Sequence, residues 1–267
     1  MSEPEIVIVP DADASAVEAA ARVVASLAGA VERHGRADWA TTGGSTPLGI
    51  YRRLGAPPLR DAVPWAGVQV WWGDDRYVPR DHALSNVKPF DDVLLDIAGG
   101  EEGTAGIGRR GVPIPLENIH PFRTGEAIGQ GQGPGWCAAT LADELRAAGL
   151  ETRDGWPVFD LILLGIGPDG HVLSVFPGST TFDSTELAMA VPAPSHVEPH
   201  VERVTLNPAV IGVAREVLVV VNGGDKASVL AQVLGPERDP RRWPAQLARR
   251  EGATWIIDEA AGAELSR

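Results

Sequence analysis

Residues 159–178, FDLILLGIGPDGHVLSVFPG, combine a strand pattern with a glycine-rich loop, and the rest of the predicted fold is organised around them. Apart from Asp160, its first six residues, 159–164, are apolar, and this run has the length of a buried parallel strand, which is too short for a helix. The run ends at Gly165, and a tight loop rich in glycine then carries Asp169 and His171. Ligands of open α/β sheets bind at the carboxyl ends of the strands, so this loop is the first candidate for a functional site.

Asp169 and His171 have the chemistry of a general base and its partner. An imidazole with an ordinary pKa of about 6.5 can take a proton from water at neutral pH, and a carboxylate two residues away can orient it or balance its charge. A loop histidine that only caps the next helix fits the same two residues, because Asp-Gly-His is a short motif. The choice between these interpretations depends on the rest of the chain.

A chain of 267 residues is long enough for one large α/β domain or for two small ones, and we favour a single domain over residues 1–267. Its 44% apolar and 22% charged residues are ordinary for a soluble globular protein. No stretch reaches the about 18 uninterrupted apolar residues of a membrane helix, and the first residues lack the pattern of a secretory leader. We therefore expect a cytoplasmic protein without a membrane partner. The single cysteine, Cys137, lies in a helical pattern and is expected to be a small core residue; one cysteine offers neither an internal disulfide nor a thiolate cluster for zinc.

The net charge of -13 argues against a nucleic-acid partner, because binding a phosphate backbone requires a surplus of basic groups. A small anionic ligand remains compatible with this charge if a few cations gather locally. Only Lys88 and Lys226 are lysines, and the other 21 of the 23 basic residues are arginines. Lys226 follows a predicted strand, residues 217–221, in the motif Asn-Gly-Gly-Asp-Lys.

A second candidate loop follows the predicted strand 37–41. Its sequence, Thr-Gly-Gly-Ser-Thr-Pro at residues 42–47, is a glycine turn into a helix start with hydroxyl donors at Ser45 and Thr46. Unpaired backbone N–H groups and the positive end of a helix dipole make such a turn a ready phosphate site. An ordinary helix cap fits the same residues, and the lysine and spacing of a P-loop are absent.

Strand and helix patterns alternate along most of the chain, which predicts an α/β fold with an open, mostly parallel Rossmann-like sheet and helices on both faces. A third strand, 68–72, ends in Gly-Asp-Asp-Arg at residues 73–76, which is either part of a polar site or a solvated turn. The motifs GGSTP, GDDR, GPDGH and GGDK therefore follow four strands, and parallel strands bring their carboxyl ends to one edge. We expect the four motifs to meet there.

Other parts of the chain carry weaker predictions. Helices are expected at residues 11–30, 48–54, 87–97, 136–148, 172–176, 207–214, 227–234 and 243–250, and further strands at 6–9 and 253–257. Residues 98–135 are rich in glycine and proline and are expected to form an irregular excursion with an extended piece at 117–121. His196 and His200 lie among prolines and are expected to be solvated loop histidines rather than metal ligands.

Taken in order, these motifs resemble those of the 6-phosphogluconolactonases, within the wider glucosamine-6-phosphate isomerase/deaminase superfamily. The segments that carry the resemblance span about residues 40–260: TGGSTPLGIYRRL, WWGDDRYVPRDHALSN, FDLILLGIGPDGHVLSVFPG, ERVTLNP, NGGDKASVL and PAQLARREGATWIID. The chain departs from the family at Thr42 and Asp75, where serine and glutamate are usual. Val172 and Leu173 replace a small polar and a small apolar residue beside the histidine, which affects the fit of the substrate more than the fold.

The resemblance implies hydrolysis of the δ-lactone of 6-phosphogluconate, in the oxidative pentose phosphate pathway, without a metal or an organic cofactor. His171 would deprotonate the attacking water and return the proton to the ring oxygen, Asp169 would orient it, and Asp74 would be the second carboxylate of the site. A small-molecule sugar-phosphate lactone is the expected partner, and we expect a monomer or a small homo-oligomer. The residues implied to hold the phosphate are Gly43, Gly44, Ser45, Thr46, Arg76, Arg203 and Lys226.

Three alternatives differ from this expectation in specific features. An amino-sugar phosphate deaminase or isomerase of the same superfamily continues after the histidine to an Asn-Glu-Pro, whereas residues 176–178 are Phe-Pro-Gly. A sugar-phosphate-sensing regulator without catalysis would carry a helix-turn-helix, for which a first strand beginning at Ile6 leaves no room. A serine hydrolase would need a Gly-x-Ser-x-Gly elbow, which the sequence lacks.

Overall fold

A computed structural model describes residues 3–95 and 111–265 and centres on a seven-stranded sheet. The strands are β1 (Glu5–Val9), β2 (Ala37–Thr41), β3 (Val68–Trp72), β4 (Asp74–Arg76), β5 (Ile119–His120), β6 (Thr152–Arg153), β7 (Trp156–Pro157), β8 (Leu161–Leu164), β9 (Ala188–Val191), β10 (Arg203–Leu206), β11 (Glu216–Val221) and β12 (Ala253–Asp258). The helices are α1 (Ala12–His34), α2 (Ser45–Leu54), α3 (Leu59–Ala62), α4 (Lys88–Phe90), α5 (Thr124–Gly129), α6 (Pro134–Ala147), α7 (Ala209–Val213) and α8 (Ala227–Leu234).

The central sheet has the strand order β1-β12-β11-β8-β2-β3-β5, and every neighbouring pair is parallel. The predicted α/β class with an open parallel sheet is confirmed. All four residues of β8 are buried, as the apolar run predicts, and the strand lies in the middle of the sheet. Its neighbours are β2 and β11, so the loop after β8 lies between the loops that follow those two strands.

A second, antiparallel sheet was not expected from the sequence; its order is β4-β10-β9. The residues Asp74–Arg76, predicted as a turn after β3, form strand β4 and pair with β10. In this register Arg203 lies opposite Arg76. Strand β9 also lies in a segment expected to be a loop. The pairing of β4 with β10 joins segments more than a hundred residues apart, so local patterns cannot indicate it.

Two predicted helices are wrong. Residues 172–176 form a turn with a single bridge between Val172 and Val175, because Leu173 adopts a left-handed conformation with φ 54° that no helix accommodates. The helix expected at 243–250 is only a 3-10 helix, Pro244–Ala248. The helix expected at 87–97 begins at Lys88 and continues as a π-helix over Asp91–Leu95, and residues 96 and 97 lie outside the described part of the chain.

Part of the excursion predicted over residues 98–135 is ordered structure. Residues 98–110 lie outside the described residues. The extended piece expected at 117–121 is present as β5, which pairs with β3 at the edge of the sheet. Helix α5 and the start of α6 were not expected among so many glycines; Pro134 occupies the first turn of α6, where its missing N–H costs nothing.

Helix α1 covers the sheet with an alanine-rich face. Its buried residues include Ala16, Ala20, Val23 and Leu27, and the helix packs against β2, β12 and α2. Among residues 3–95 and 111–265, α1 is the one helix long and apolar enough to cross a membrane by length and composition. A core helix packed on a sheet passes the same test.

The carboxylate of Asp75 holds the loop that follows β4. Its side chain is completely buried and accepts the backbone N–H groups of Asn86 at 2.7 Å and Arg76 at 2.8 Å, together with the Ser85 hydroxyl at 3.2 Å. Burial raises the pKa of Asp75 to about 7, against the opposing effect of those backbone N–H groups. These bonds place Asn86 at the carboxyl end of the sheet.

The titration of Asp75 predicts a specific pH dependence of stability. Between pH 3.8 and 7 the folded protein retains a proton that the unfolded chain releases, so the free energy of unfolding falls as pH rises. Asp75→Asn keeps the acceptor for both N–H groups but cannot titrate, so we expect it to lack this part of the slope. Urea unfolding of both proteins across this range measures the difference, and parallel profiles would contradict the assignment.

Candidate active site

The loops after β2, β3, β8 and β11 surround one cavity of about 260 Å³. The four sequence motifs predicted to meet therefore do so. Of the ten residues proposed for the site, nine line this cavity, and Asp169 lies behind one of them, His171. The nine are Gly43, Gly44, Ser45, Thr46, Asp74, Arg76, His171, Arg203 and Lys226.

His171 lies in the cavity wall and is held from behind by Asp169. The Nδ1 atom of His171 is 2.5 Å from Oδ1 of Asp169, and the backbone N–H of His171 donates to the same oxygen at 3.2 Å. A Cβ atom at Gly167 would lie 2.0 Å from Nδ1, so only glycine allows the imidazole to fold back over this loop. No side chain or backbone group of the described residues hydrogen-bonds Nε2, the other ring nitrogen.

Asp169 is a carboxylate at neutral pH. Its burial acts to raise the pKa, but the hydrogen bond and charge of His171, together with a hydrogen bond from His196, outweigh burial and hold the pKa well below its usual range. A carboxylate facing Nδ1 requires the proton of neutral His171 to be on Nδ1. The Nε2 atom then carries the lone pair, which is the arrangement that a general base needs.

The second carboxylate, Asp74, does not pair with the histidine. Its Oδ2 accepts the Ser174 hydroxyl at 2.6 Å, and its Oδ1 accepts the Asn86 side-chain amide at 3.1 Å. Asp74 is buried and its side chain lines the cavity. The sequence left open which carboxylate contacts His171, and the structure shows that it is Asp169.

Two arginines form a positive part of the cavity wall. Arg76 and Arg203 lie directly opposite each other on the antiparallel strands β4 and β10, a placement that like charges disfavour. Arg76 donates to the Leu84 carbonyl and the Asn86 side chain, and Arg203 donates to the Pro199 carbonyl. The Nε atom of each arginine is buried without a hydrogen-bond partner among the described residues. An anion in the cavity would offset the repulsion between them.

Two helix starts add to this positive surface. Helix α2 begins at Ser45 with Gly44 as its N-cap residue, and no side chain caps its first turn. Its N-terminal N–H groups and dipole are therefore available at the cavity. Lys226 reaches the cavity from the turn before α8; its only described ion pair is with the exposed Asp225 at 3.5 Å. Such a surface pair contributes little.

Asn86 shapes the α2 turn and was not singled out from the sequence. A Cβ atom at Gly43 would lie 2.4 Å from both the Cα and the Oδ1 of Asn86, so a glycine is required for the two loops to pack. The amide of Asn86 also bonds Asp74 and Arg76, which joins the carboxylate and the guanidinium. Asn86 is the last residue of WWGDDRYVPRDHALSN, one of the segments that carry the family resemblance, and that position could have identified it.

Other cavity residues were also missed. Glu198 and Asn222 line the cavity, and His196, an exposed loop histidine as expected, also bonds Asp169. Leu173, which the sequence singled out for its effect on the fit of the substrate, lines the cavity as well. Asn222 directly follows β11, a position that the strand-end argument could have identified. Glu198 and His196 lie in a proline-rich loop far from the four motifs, where the sequence carries no signal. Among residues 3–95 and 111–265, no cluster of three or more His, Cys, Asp and Glu side chains is arranged to hold a metal ion.

Comparison with known proteins identifies relatives along almost the whole chain. The 6-phosphogluconolactonase of Streptomyces coelicolor is 31% identical over 265 residues, which cover 99% of this chain and 95% of that protein. The 6-phosphogluconolactonase of Synechocystis sp. is 33% identical over 244 residues, covering 91% of this chain and 90% of that protein.

Solved structures show the same fold. The 6-phosphogluconolactonase of Trypanosoma brucei superposes with a TM-score of 0.82 at 26% identity and covers 100% of both chains. A monomeric glucosamine-6-phosphate deaminase superposes with a TM-score of 0.76 over 97% of this chain and 99% of its own, but its 16% identity shows only the fold. Residues 10–256 match the family described as glucosamine-6-phosphate isomerases/6-phosphogluconolactonase. This chain belongs to that family.

Proposed function

We propose that the protein is a cytoplasmic 6-phosphogluconolactonase that hydrolyses 6-phospho-D-glucono-1,5-lactone to 6-phosphogluconate in the oxidative pentose phosphate pathway. The observation that carries the proposal is the His171 imidazole, which is hydrogen-bonded to Asp169 through Nδ1 and has no partner for Nε2 within the described structure. It lies beside a cavity lined by three basic side chains. Relatives of that name, 31–33% identical over most of the chain, support it.

The first step is attack of water on the lactone carbonyl. Nε2 of His171 takes a proton from a water molecule, and the hydroxide oxygen bonds to C1 of the lactone to give a tetrahedral intermediate with a negative oxygen. Asp169 balances the positive charge that His171 gains, because its carboxylate lies 2.5 Å from Nδ1. No metal or organic cofactor takes part in this proposal.

The second step opens the ring. The C1–O5 bond breaks as the intermediate collapses, and the ring oxygen leaves with the electron pair of that bond. Nε2 of His171, now protonated, supplies the proton that converts this oxygen into the 5-hydroxyl of 6-phosphogluconate. His171 returns to its neutral form, and the product carboxylic acid loses its proton to solvent.

The phosphate lies at the other side of the cavity in this proposal. The backbone and hydroxyl groups at residues 43–46 bind its oxygens at the start of α2, and Lys226 swings to it from the exposed Asp225. Arg76 and Arg203 add positive charge from the cavity wall. The negative charge of the phosphate offsets the repulsion between these two arginines. An acidic protein would thus bring a few of its basic side chains together around one anionic substrate.

An amino-sugar phosphate deaminase is less well supported. The segment after His171 has Phe-Pro-Gly at residues 176–178 where such enzymes have the glutamate of an Asn-Glu-Pro. The ring centroids of Phe176 and His171 are 4.6 Å apart, and a phenylalanine has no group that could transfer a proton. Release of ammonia from glucosamine 6-phosphate would favour the deaminase.

His171→Ala tests the general base. We expect the enzyme-dependent rate of 6-phosphogluconolactone loss to fall by about 10²–10⁴-fold, the usual contribution of a general acid–base group. The lactone also hydrolyses spontaneously, so initial rates are compared with buffer alone.

His34→Ala is the matched control, because His34 lies beside Asp160 at the amino end of the sheet, away from the cavity. The control should retain the wild-type rate. A wild-type rate equal to that of buffer would refute the lactonase, and a fully active His171→Ala would refute the base.

Lys226→Ala tests the phosphate contact. Loss of a charge-assisted bond of about 1.5–3 kcal/mol should raise KM for the phosphorylated lactone by roughly 10- to 100-fold, with a smaller change in kcat. The unphosphorylated gluconolactone should be hydrolysed equally well by variant and wild type.

The chain's other lysine provides the control for this variant. Lys88 lies on the surface and pairs with Asp92 at 2.8 Å, so Lys88→Ala should leave KM unchanged. The assignment of Lys226 fails if both lysine variants give the same KM for the phosphorylated lactone.

A further inference from the structure

The carboxylate of Asp169 contacts two histidines. Its Oδ1 lies 2.5 Å from Nδ1 of His171, and its Oδ2 lies 2.9 Å from Nε2 of His196. His196 comes from the segment between β9 and β10 and is 27 residues from Asp169 in the sequence. Each carboxylate oxygen therefore has its own imidazole partner.

A phenylalanine ring fixes the relative position of the two imidazoles. The Phe176 ring centroid is 4.6 Å from that of His171 and 5.9 Å from that of His196, and the latter pair is nearly perpendicular at 82°. Phe176 packs with Val191 and Val197 in a small apolar cluster separate from the main core. The His196 side chain is 52% exposed, but its Nε2 and one ring edge are held in place.

This arrangement restricts the rotation of the Asp169 carboxylate. The Oδ1 atom also accepts the backbone N–H of His171 at 3.2 Å, but this bond is on the same oxygen. A carboxylate bonded through one oxygen alone can turn about its Cβ–Cγ bond, and this rotation moves that oxygen off the line of the Nδ1–H bond. A second donor at the other oxygen defines the plane of the carboxylate and hence the direction from which it meets Nδ1 of His171. The orientation of the His171 ring, and of its Nε2, follows from this plane.

We infer that His196 is a positioning residue, which acts on His171 through Asp169 and does not touch the substrate. The inference rests on the proposed function for its kinetic consequence, but its geometric claim concerns the free protein. With His196 removed, the Asp169 carboxylate loses its fixed plane, and the His171 ring spends less time with Nε2 directed into the cavity. The substrate-binding groups at residues 43–46 and Lys226 lie on other loops and are unaffected.

The kinetic test compares three variants. His196→Ala should lower kcat on the order of tenfold and leave KM within about twofold, because the loss affects the base rather than the phosphate contacts. His196→Gln provides a side-chain N–H for the carboxylate and should recover most of kcat. His200→Ala is the matched control on the same loop; its Nδ1 bonds the Pro194 carbonyl and it makes no contact with Asp169.

A second readout needs no turnover. Long-range ¹H–¹⁵N spectra of histidine-labelled protein, recorded at alkaline pH, report which ring nitrogen carries the proton; His171→Ala assigns the His171 signal. We expect a single Nδ1–H tautomer for His171 in the wild type, in His196→Gln and in His200→Ala, and a mixture of tautomers in His196→Ala.

The outcomes separate this inference from the proposed function. A wild type without lactonase activity refutes the proposed function, but a His171 tautomer that still depends on residue 196 supports the positioning role. If the wild type is an active lactonase and His196→Ala keeps both the wild-type kcat and the single tautomer, the inference is overturned. It is also overturned if His196→Ala raises KM and leaves kcat unchanged.

Discussion

The hydrogen bond between Asp169 and His171 is the interaction on which the proposed chemistry depends. It exists because a buried central strand, β8, ends in a loop that folds the imidazole back over Gly167. Burial alone would favour the neutral form of Asp169, and the imidazole hydrogen bonds reverse that preference. The negative carboxylate in turn determines which nitrogen of His171 carries the proton. The geometry of one loop therefore leaves Nε2 of His171 as the nitrogen available for the proposed base chemistry.

The antiparallel sheet brings two arginines together in a protein with a net charge of -13. The register of β4 and β10 places Arg76 opposite Arg203, and burial lowers the pKa of Arg203. Holding the buried Arg203 opposite the half-buried Arg76 is unfavourable without a counterion. Asp74, fixed by Ser174 and Asn86, supplies part of that negative charge in the free protein. In the proposed function the substrate phosphate supplies the rest.

The features predicted correctly from the sequence are those with local signals. The mostly apolar segment 159–164 predicts a buried strand, and the glycine turn at residues 42–47 predicts a helix start. Parallel strands then bring the loops that follow them to one edge of the sheet. Lys226 was noticeable because the chain has so few lysines. These signals were sufficient to predict the edge of the sheet at which nine of the ten proposed residues line one cavity.

The features that were missed depend on contacts between distant segments. The choice between Asp74 and Asp169 as the partner of His171 is decided by Ser174 and Asn86, which occupy Asp74. The helix expected at 172–176 is prevented by the left-handed conformation of Leu173, which packs over Gly73. His196 contacts Asp169 only because the segment between β9 and β10 packs on Phe176. No single-sequence pattern encodes these contacts.

In the proposed function, one cavity places a phosphate at the start of α2 and the reacting lactone carbon beside His171. A crystal structure with the product, 6-phosphogluconate, tests this most directly. We expect the phosphate oxygens to contact residues 43–46 and Lys226, and the product carboxylate to lie within hydrogen-bond distance of Nε2 of His171. A product bound in the reverse orientation, or with its carboxylate out of reach of His171, would refute this placement of the substrate.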